Sequence, residues 1–211
     1  MDYKNFKYRS FISIFMLVSF LYINYYNGIL LSYLFLIIYV IIFIEIYKNF
    51  KTILYNFYIY LYLVISIILL QIYFYYYYDY LIFTYFIFLI IIFDTSSYLG
   101  GSLFGKKKIL PKISPGKTYI GLISGIIFCL FFLFIYTYLN AQNNYFEMFF
   151  IAFFVILFSF VGDTRESYLK RLSKIKDSSN FLPGHGGFFD RFDSFIFSVY
   201  FLFIYEFFKN I

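Results

Sequence analysis

Residues 80–98 read "YLIFTYFIFLIIIFDTSSY". From Tyr80 to Phe93 there is no charge, and the apolar residues run together. An amphipathic helix would space them every third or fourth position, and a half-buried strand would alternate them. A helix needs about 20 mostly apolar residues to cross a bilayer, and this run is of that size. Asp94 then abuts "LIIIF", where an unpaired carboxylate is expensive. The stretch predicts a membrane helix that ends on an acid.

The same kind of run recurs on both sides. It predicts helices over 10–27, 29–47, 52–74, 80–98, 118–139, 146–162 and 194–209, the first two joined by a turn at Asn27-Gly28. The chain is 63% hydrophobic and 13% charged, whereas soluble domains carry about 25% charged residues. The expected fold is therefore all-α: a polytopic integral membrane protein of about seven transmembrane helices. Residues 1–98 form N-terminal transmembrane helices. Residues 99–211 form a catalytic membrane region with loops at 99–117 and 163–193, the whole being one domain. No internal repeat, linker or cleavable signal peptide stands out. The Tyr75–Tyr78 run fits the compositional bias of an A+T-rich genome. Cys129, the single cysteine, lies in an apolar run that disfavours its thiolate.

Charge orients the helices. Alternating the loops places every Lys and Arg except Lys209 on one side, with Asp79, Glu147 and Glu206 on the other. Positive loops stay cytoplasmic, so the N-terminus is expected inside. The formal charge of +6 then belongs to one face, beside anionic headgroups, and no nucleic-acid partner is expected.

Two polar islands remain on that face, 93–121 and 162–194. The second holds five acids (Asp163, Glu166, Asp177, Asp190, Asp193) and six bases. Burying them in lipid would cost on the order of 30 kcal/mol, so they must meet water or a polar cavity. If the sixth helix continues, Asp163, Glu166, Ser167, Lys170 and Arg171 share one face. Asp190 and Asp193 are one turn apart at the start of the seventh, where the dipole favours negative charge. Two helices thus each present a carboxylate pair, and Asp94 adds a third helix end. Such a donor set suits magnesium, which takes one or two protein carboxylates and leaves room for phosphate oxygens. A salt-bridged, solvated face is the competing reading. "GGSLFGKKK" and "SPGKT" offer amides, hydroxyls and lysines for phosphate. "SPGKT" lacks the spacing of a nucleotide-binding P-loop, and no strand is expected before it. His185, among glycines, is expected to position a loop or phosphate.

From Ser167 to Asp193 the chain resembles the signature of the phosphatidate cytidylyltransferases, the CDP-diacylglycerol synthases. The match runs through Lys170-Arg171, Lys176-Asp177 and "LPGHGGFFDRFD". "GDTRES" is similar to the family's G-D-x-x-E-S, and "FDTSSYLGGSLFGKKK" and "PKISPGKT" to its earlier segments, in the same order. The resemblance covers about residues 100–211. It implies transfer of CMP from CTP to phosphatidic acid in phospholipid biosynthesis, with Mg2+ and a second cation, K+ being the candidate. By motif position, Asp163 and Asp190 would be the metal ligands, with Asp94, Glu166 and Asp193 auxiliary. Lys170, Arg171 and Arg191 would neutralise developing charge. Ser114, Lys117, Thr118, Ser167, His185, Gly186 and Gly187 would bind substrate. The family also implies a homodimer in a bacterial inner membrane with its site facing the cytoplasm. Two departures stand out: the chain is shorter than typical bacterial members, and "DTSSY" replaces the usual D-[ST]-[GA]-A-Y. Competing functions are a CTP-dependent lipid-alcohol kinase, a cytidylyltransferase for an isoprenoid lipid phosphate, and an ion-coupled transporter whose acids would sit at mid-membrane.

Overall fold

The computed structural model describes residues 18–50, 53–140, 144–179, 181 and 186–210. His185 and the start of the first helix expected from residue 10 lie outside the described residues. In chain order the elements are α1 (18–26), α2 (Gly28–Asn49), α3 (Ile53–Ile72) and a π-helical turn (Tyr73–Tyr77). Then follow α4 (Tyr80–Phe104), β1 (Lys108–Leu110), β2 (Ser114–Thr118), α5 (Tyr119–Leu139), α6 (Tyr145–Leu172) and α7 (Phe189–Lys209). The molecule is an all-α polytopic membrane protein with one small hairpin.

Five helices among the described residues are long and apolar enough to span: Gly28–Asn49, Phe57–Tyr77, Tyr80–Phe104, Tyr119–Leu139 and Tyr145–Leu172. α7 is as long as α5 but carries Asp190, Arg191, Asp193, Glu206 and Lys209. Helix starts follow local chemistry. Asn27, Asp79, Thr118 and Asn144 each sit in a non-helical conformation and accept a bond from an amide of the following turn. α7 differs: Phe188 at its start gives no side-chain cap.

The polar islands are more regular than expected. Residues 99–104 continue α4, and 163–172 continue α6. At 28 residues, α6 is about 42 Å long, so once some 20 residues have crossed the apolar core the helix runs on past it from near Asp163. Residues 108–118 form an antiparallel hairpin, Lys108 opposite Thr118 and Leu110 opposite Ser114. "SPGKT" is thus itself a strand running straight into α5. The hairpin escapes sequence reading because its strands are three and five residues long and do not alternate.

α4 and α5 make the most extensive helix contact. Small residues at a membrane helix interface let backbones approach, and a Cβ added to Gly121 would lie 2.6 Å from the Ser97 carbonyl oxygen. Gly121→Ala is therefore expected to part these helices at a cost of about 1–3 kcal/mol, seen as a lower melting temperature in detergent. An unchanged melting temperature would show that the two helices have room to give. The tyrosine run forms the π turn, and Tyr78 then donates its hydroxyl to the Asn24 carbonyl and side-chain oxygens at 2.5 and 2.9 Å, fastening α1.

Contacts join the ends of several helices at one end of the bundle. Asn49 at the end of α2 donates to Ser178 O (2.7 Å), Ser194 on α7 donates to Asp94 on α4 (3.3 Å), and Lys117 on β2 reaches α6. Lys209 pairs with Glu147 at the opposite end (2.8 Å). This grouping is the one that alternating loops require.

Candidate active site

α6 and α7 are closely packed at Gly162, where a Cβ would lie 2.7 Å from the Asp193 carbonyl oxygen. That contact sets the next residues of α6 against the first turns of α7. Asp163, Glu166 and Asp193 each offer a carboxylate oxygen, all within 4.8 Å of one another. Glu166 is buried and the other two are partly exposed.

Three carboxylates this close repel one another unless cations sit between them. Lys117 Nζ lies 3.1 Å from Asp163 Oδ2, and Lys170 Nζ lies 2.8 Å from Glu166 Oε1. The second ammonium is shared, since it also reaches Asp190 Oδ1 at 2.9 Å. Glu166 Oε1 is buried and, despite Lys170, has no partner at hydrogen-bonding angles. A buried oxygen with an unfilled lone pair, among hard anionic donors in excess of nearby positive charge, fits a divalent cation that prefers oxygen.

Asp193 faces Asp163 and Glu166, and Asp190, one turn earlier on α7, is joined to the group through the Lys170 ammonium it shares with Glu166. Asp190 accepts from Ser178 N (2.9 Å), Gly187 N (2.9 Å) and Lys170 Nζ (2.9 Å), so its carboxylate ties down the loop that precedes α7. Burial alone would push its carboxyl up. Hydrogen bonding with Glu166 first, then with Gly187 N and Lys170, overcomes that and holds it at about 2. Gly186 belongs to the same cradle: it has φ +81°, and a Cβ there would lie 2.6 Å from Asp190 Oδ2.

The remaining expected residues fall into two groups. Ser167 donates to Asp163 Oδ1 at 3.4 Å, and Asp94 accepts from Ser194, next to Asp193. Lys117 is anchored by Thr164 Oγ1 (2.7 Å) and Phe160 O (3.0 Å), with its ammonium 4.3 Å from the Phe160 ring centre. These three gather at the carboxylates. Others serve the scaffold. Thr118 Oγ1 caps α5 by accepting from Gly121 N (3.1 Å), and Ser114 opens β2 opposite Leu110. Arg171 donates to Ile113 O (3.4 Å), pinning the hairpin to α6, while Lys170 joins α6 to α7. Arg191 lies on the exposed side of α7. Arg165 turns away from the carboxylates and stacks on Tyr62, 4.1 Å from its ring centre. It ends a mostly apolar groove of about 390 Å³ lined also by Leu61, Ile65, Phe158 and Phe197.

One residue at this end was not anticipated. Glu45 of α2, 3% exposed, accepts from Ser179 Oγ (2.7 Å), Phe188 N (2.9 Å), Phe189 N (3.0 Å) and Ser178 Oγ (3.4 Å). It supplies from across the molecule the cap that α7 lacks. The signal was present: Glu45 is the one acid in the second apolar run, and acids in such runs are rarely idle.

The profile of the Cytidylyltransferase family matches residues 2–208 of this chain. Among curated proteins, the chain is 39% identical over 111 residues to a phosphatidate cytidylyltransferase of Haemophilus influenzae, covering 50% of this chain and 38% of that protein. It is 43% identical over 112 residues to one of Bacillus subtilis, covering 52% and 41%. It is 40% identical over 110 residues to one of Staphylococcus aureus, covering 52% and 42%. The match thus spans less than half the length of each relative. With a family profile covering nearly all of its length and its acidic motifs meeting at one end of the bundle, the chain belongs to the cytidylyltransferase family.

Proposed function

We propose that this protein transfers CMP from CTP to phosphatidic acid, giving CDP-diacylglycerol and pyrophosphate. The observation that carries the reading is the convergence of "SPGKT", "GDTRES" and "DRFD": Lys117 pairs with Asp163, which lies beside Glu166 and Asp193. A phosphate-binding strand, an acidic helix face and a second acidic helix start therefore share one site.

In the reaction a phosphate oxygen of the lipid attacks the α-phosphorus of CTP. The new P–O bond forms as the bond to the β-phosphate breaks, and pyrophosphate leaves. The lipid phosphate is already ionised near neutral pH, so no strong general base is required. The difficulty is bringing two anions together, which positioning and charge neutralisation solve. Asp163, Glu166 and Asp193 would hold Mg2+, with Asp190 shaping the loop beside them. When bound, the ion supplies neutralising charge to the triphosphate. Lys117 is placed to bind phosphate, and Arg191 lies on the first turn of the same helix as Asp193. The groove ending at Arg165 has the lining an acyl chain needs and one cation for a headgroup. K+ as a second cation, a homodimeric state, a bacterial inner membrane and a site on its cytoplasmic face belong to the same reading. The relatives' names support the substrates, and the loop charges support the cytoplasmic face.

The test is purified protein with labelled CTP, phosphatidic acid and Mg2+. CDP-diacylglycerol and pyrophosphate are the expected products. CDP with a phosphorylated lipid alcohol would mean a kinase instead, and absence of either product would end the proposal.

A further inference from the structure

Glu45 lies in the N-terminal half, outside the stretch that resembles the family, yet it meets the C-terminal motif through four hydrogen bonds. Two come from the serines of the loop, Ser178 and Ser179, and two from the first amides of α7, Phe188 N and Phe189 N. The carboxylate thus fixes both sides of the segment that leads into the acids of α7. The fit is tight: a Cβ on Gly187 would lie 2.7 Å from Glu45 Oε2 and 2.1 Å from Ser178 Oγ. Asn49, one turn along α2, holds Ser178 O as well. Each feature points at one object, the position of the first turn of α7.

We propose that Glu45 is a positioning residue, whose carboxylate on α2 holds Ser178, Ser179 and the start of α7 so that Asp193 faces Asp163 and Glu166. The chemistry favours an acid at this place. All four partners are donors, which an ionised carboxylate can satisfy with its two oxygens. Negative charge at a helix N-terminus is also stabilising. A glutamine of the same shape brings an NH2 group to where two of the donors point. The partners that orient a metal's ligands typically contribute 10–100-fold to its affinity, so the effect belongs at the cation. The inference rests on the metal site of the proposed function, but it is read without turnover.

The test uses the full chain in detergent with Mn2+ as probe, its free fraction read by electron paramagnetic resonance. Amide exchange of residues 186–193 is followed in parallel. Glu45→Gln is expected to weaken Mn2+ binding at least about tenfold and to speed exchange at Phe188 and Phe189. The Mg2+ concentration for half-maximal turnover should rise in step, with the KM for CTP at saturating Mg2+ little changed. A variant that only melts earlier, with Mn2+ affinity intact, has lost a structural contact and overturns the proposal. Should Glu45→Gln fail to fold, Ser179→Ala removes the 2.7 Å bond to Glu45, together with the local bond that Phe181 N donates to Ser179 Oγ, and should weaken Mn2+ in the same direction by less. Wild-type affinity in that variant overturns the proposal too. A wild-type chain that binds Mn2+ yet forms no CDP-lipid would remove the proposed activity and leave the Glu45 readouts standing.

Discussion

Replacing Asp163 by Asn is expected to lower CMP transfer by at least about two orders of magnitude, a usual scale for lost electrostatic stabilisation, while the protein still folds. The two halves of that expectation come from the same geometry. The Asp163 side chain is 38% exposed, its bond from Ser167 is long, and Lys117 keeps Thr164 and Phe160 O as partners without it, so the fold survives loss of its charge. Its carboxylate is nevertheless one of three that converge, and an amide there removes one anionic donor of the cation site. Initial rates with labelled CTP across a Mg2+ series check this, with the half-activating Mg2+ concentration displaced upward. Asp193→Asn should behave alike. Asp190→Asn should differ, costing stability as well, because Asp190 holds Ser178, Gly187 and Lys170. Near-normal turnover in Asp163→Asn would remove that residue from the site.

Lys170→Met should be the most destabilising single change at this end, by about 3–5 kcal/mol. Its side chain is 13% exposed and bridges Glu166, 3% exposed, to Asp190, 9% exposed. Removing the ammonium strands two carboxylates with little water to screen them. Thermal unfolding in detergent would show the loss, and adding Glu166→Gln to Lys170→Met should recover part of it by removing one stranded charge. If Lys170→Met melts like wild type, the bridge contributes nothing and α6 and α7 are held by their apolar contacts alone.

The helices were legible because lipid leaves the chain few options. Apolar runs near the span length, with Asn, Asp and Thr at their starts, must be helices when every backbone group needs an internal partner. The ends of α4 and α6 were less legible. Residues 99–104 and 163–172 look like loop, yet α4 continues to Phe104 beside Gly121, and α6 runs on to Leu172 as an amphipathic stalk. The hairpin at 108–118 is held by its pairing and by Lys117 and Arg171 rather than by any period in its residues. At the site, spacing along α6 showed which acids share a face. It could not show how the two acids of α7 divide their contacts, because Asp190 and Asp193 are one turn apart and the amides that hold Asp190 come from Ser178 and Gly187. Glu45 stayed hidden because its partners lie more than 130 residues away.

That separation matters while the chain is being made. Glu45 leaves the ribosome 133 residues ahead of Ser178, and at roughly 5–20 residues per second the gap lasts on the order of ten seconds. Throughout that interval a carboxylate destined for burial has none of its native donors. Its place one turn from Lys48, at the very end of α2, gives it an escape: it can wait among lipid headgroups and water. Helix α2 therefore enters the membrane with this contact unmade, and it closes only once Ser178 to Phe189 have been synthesised.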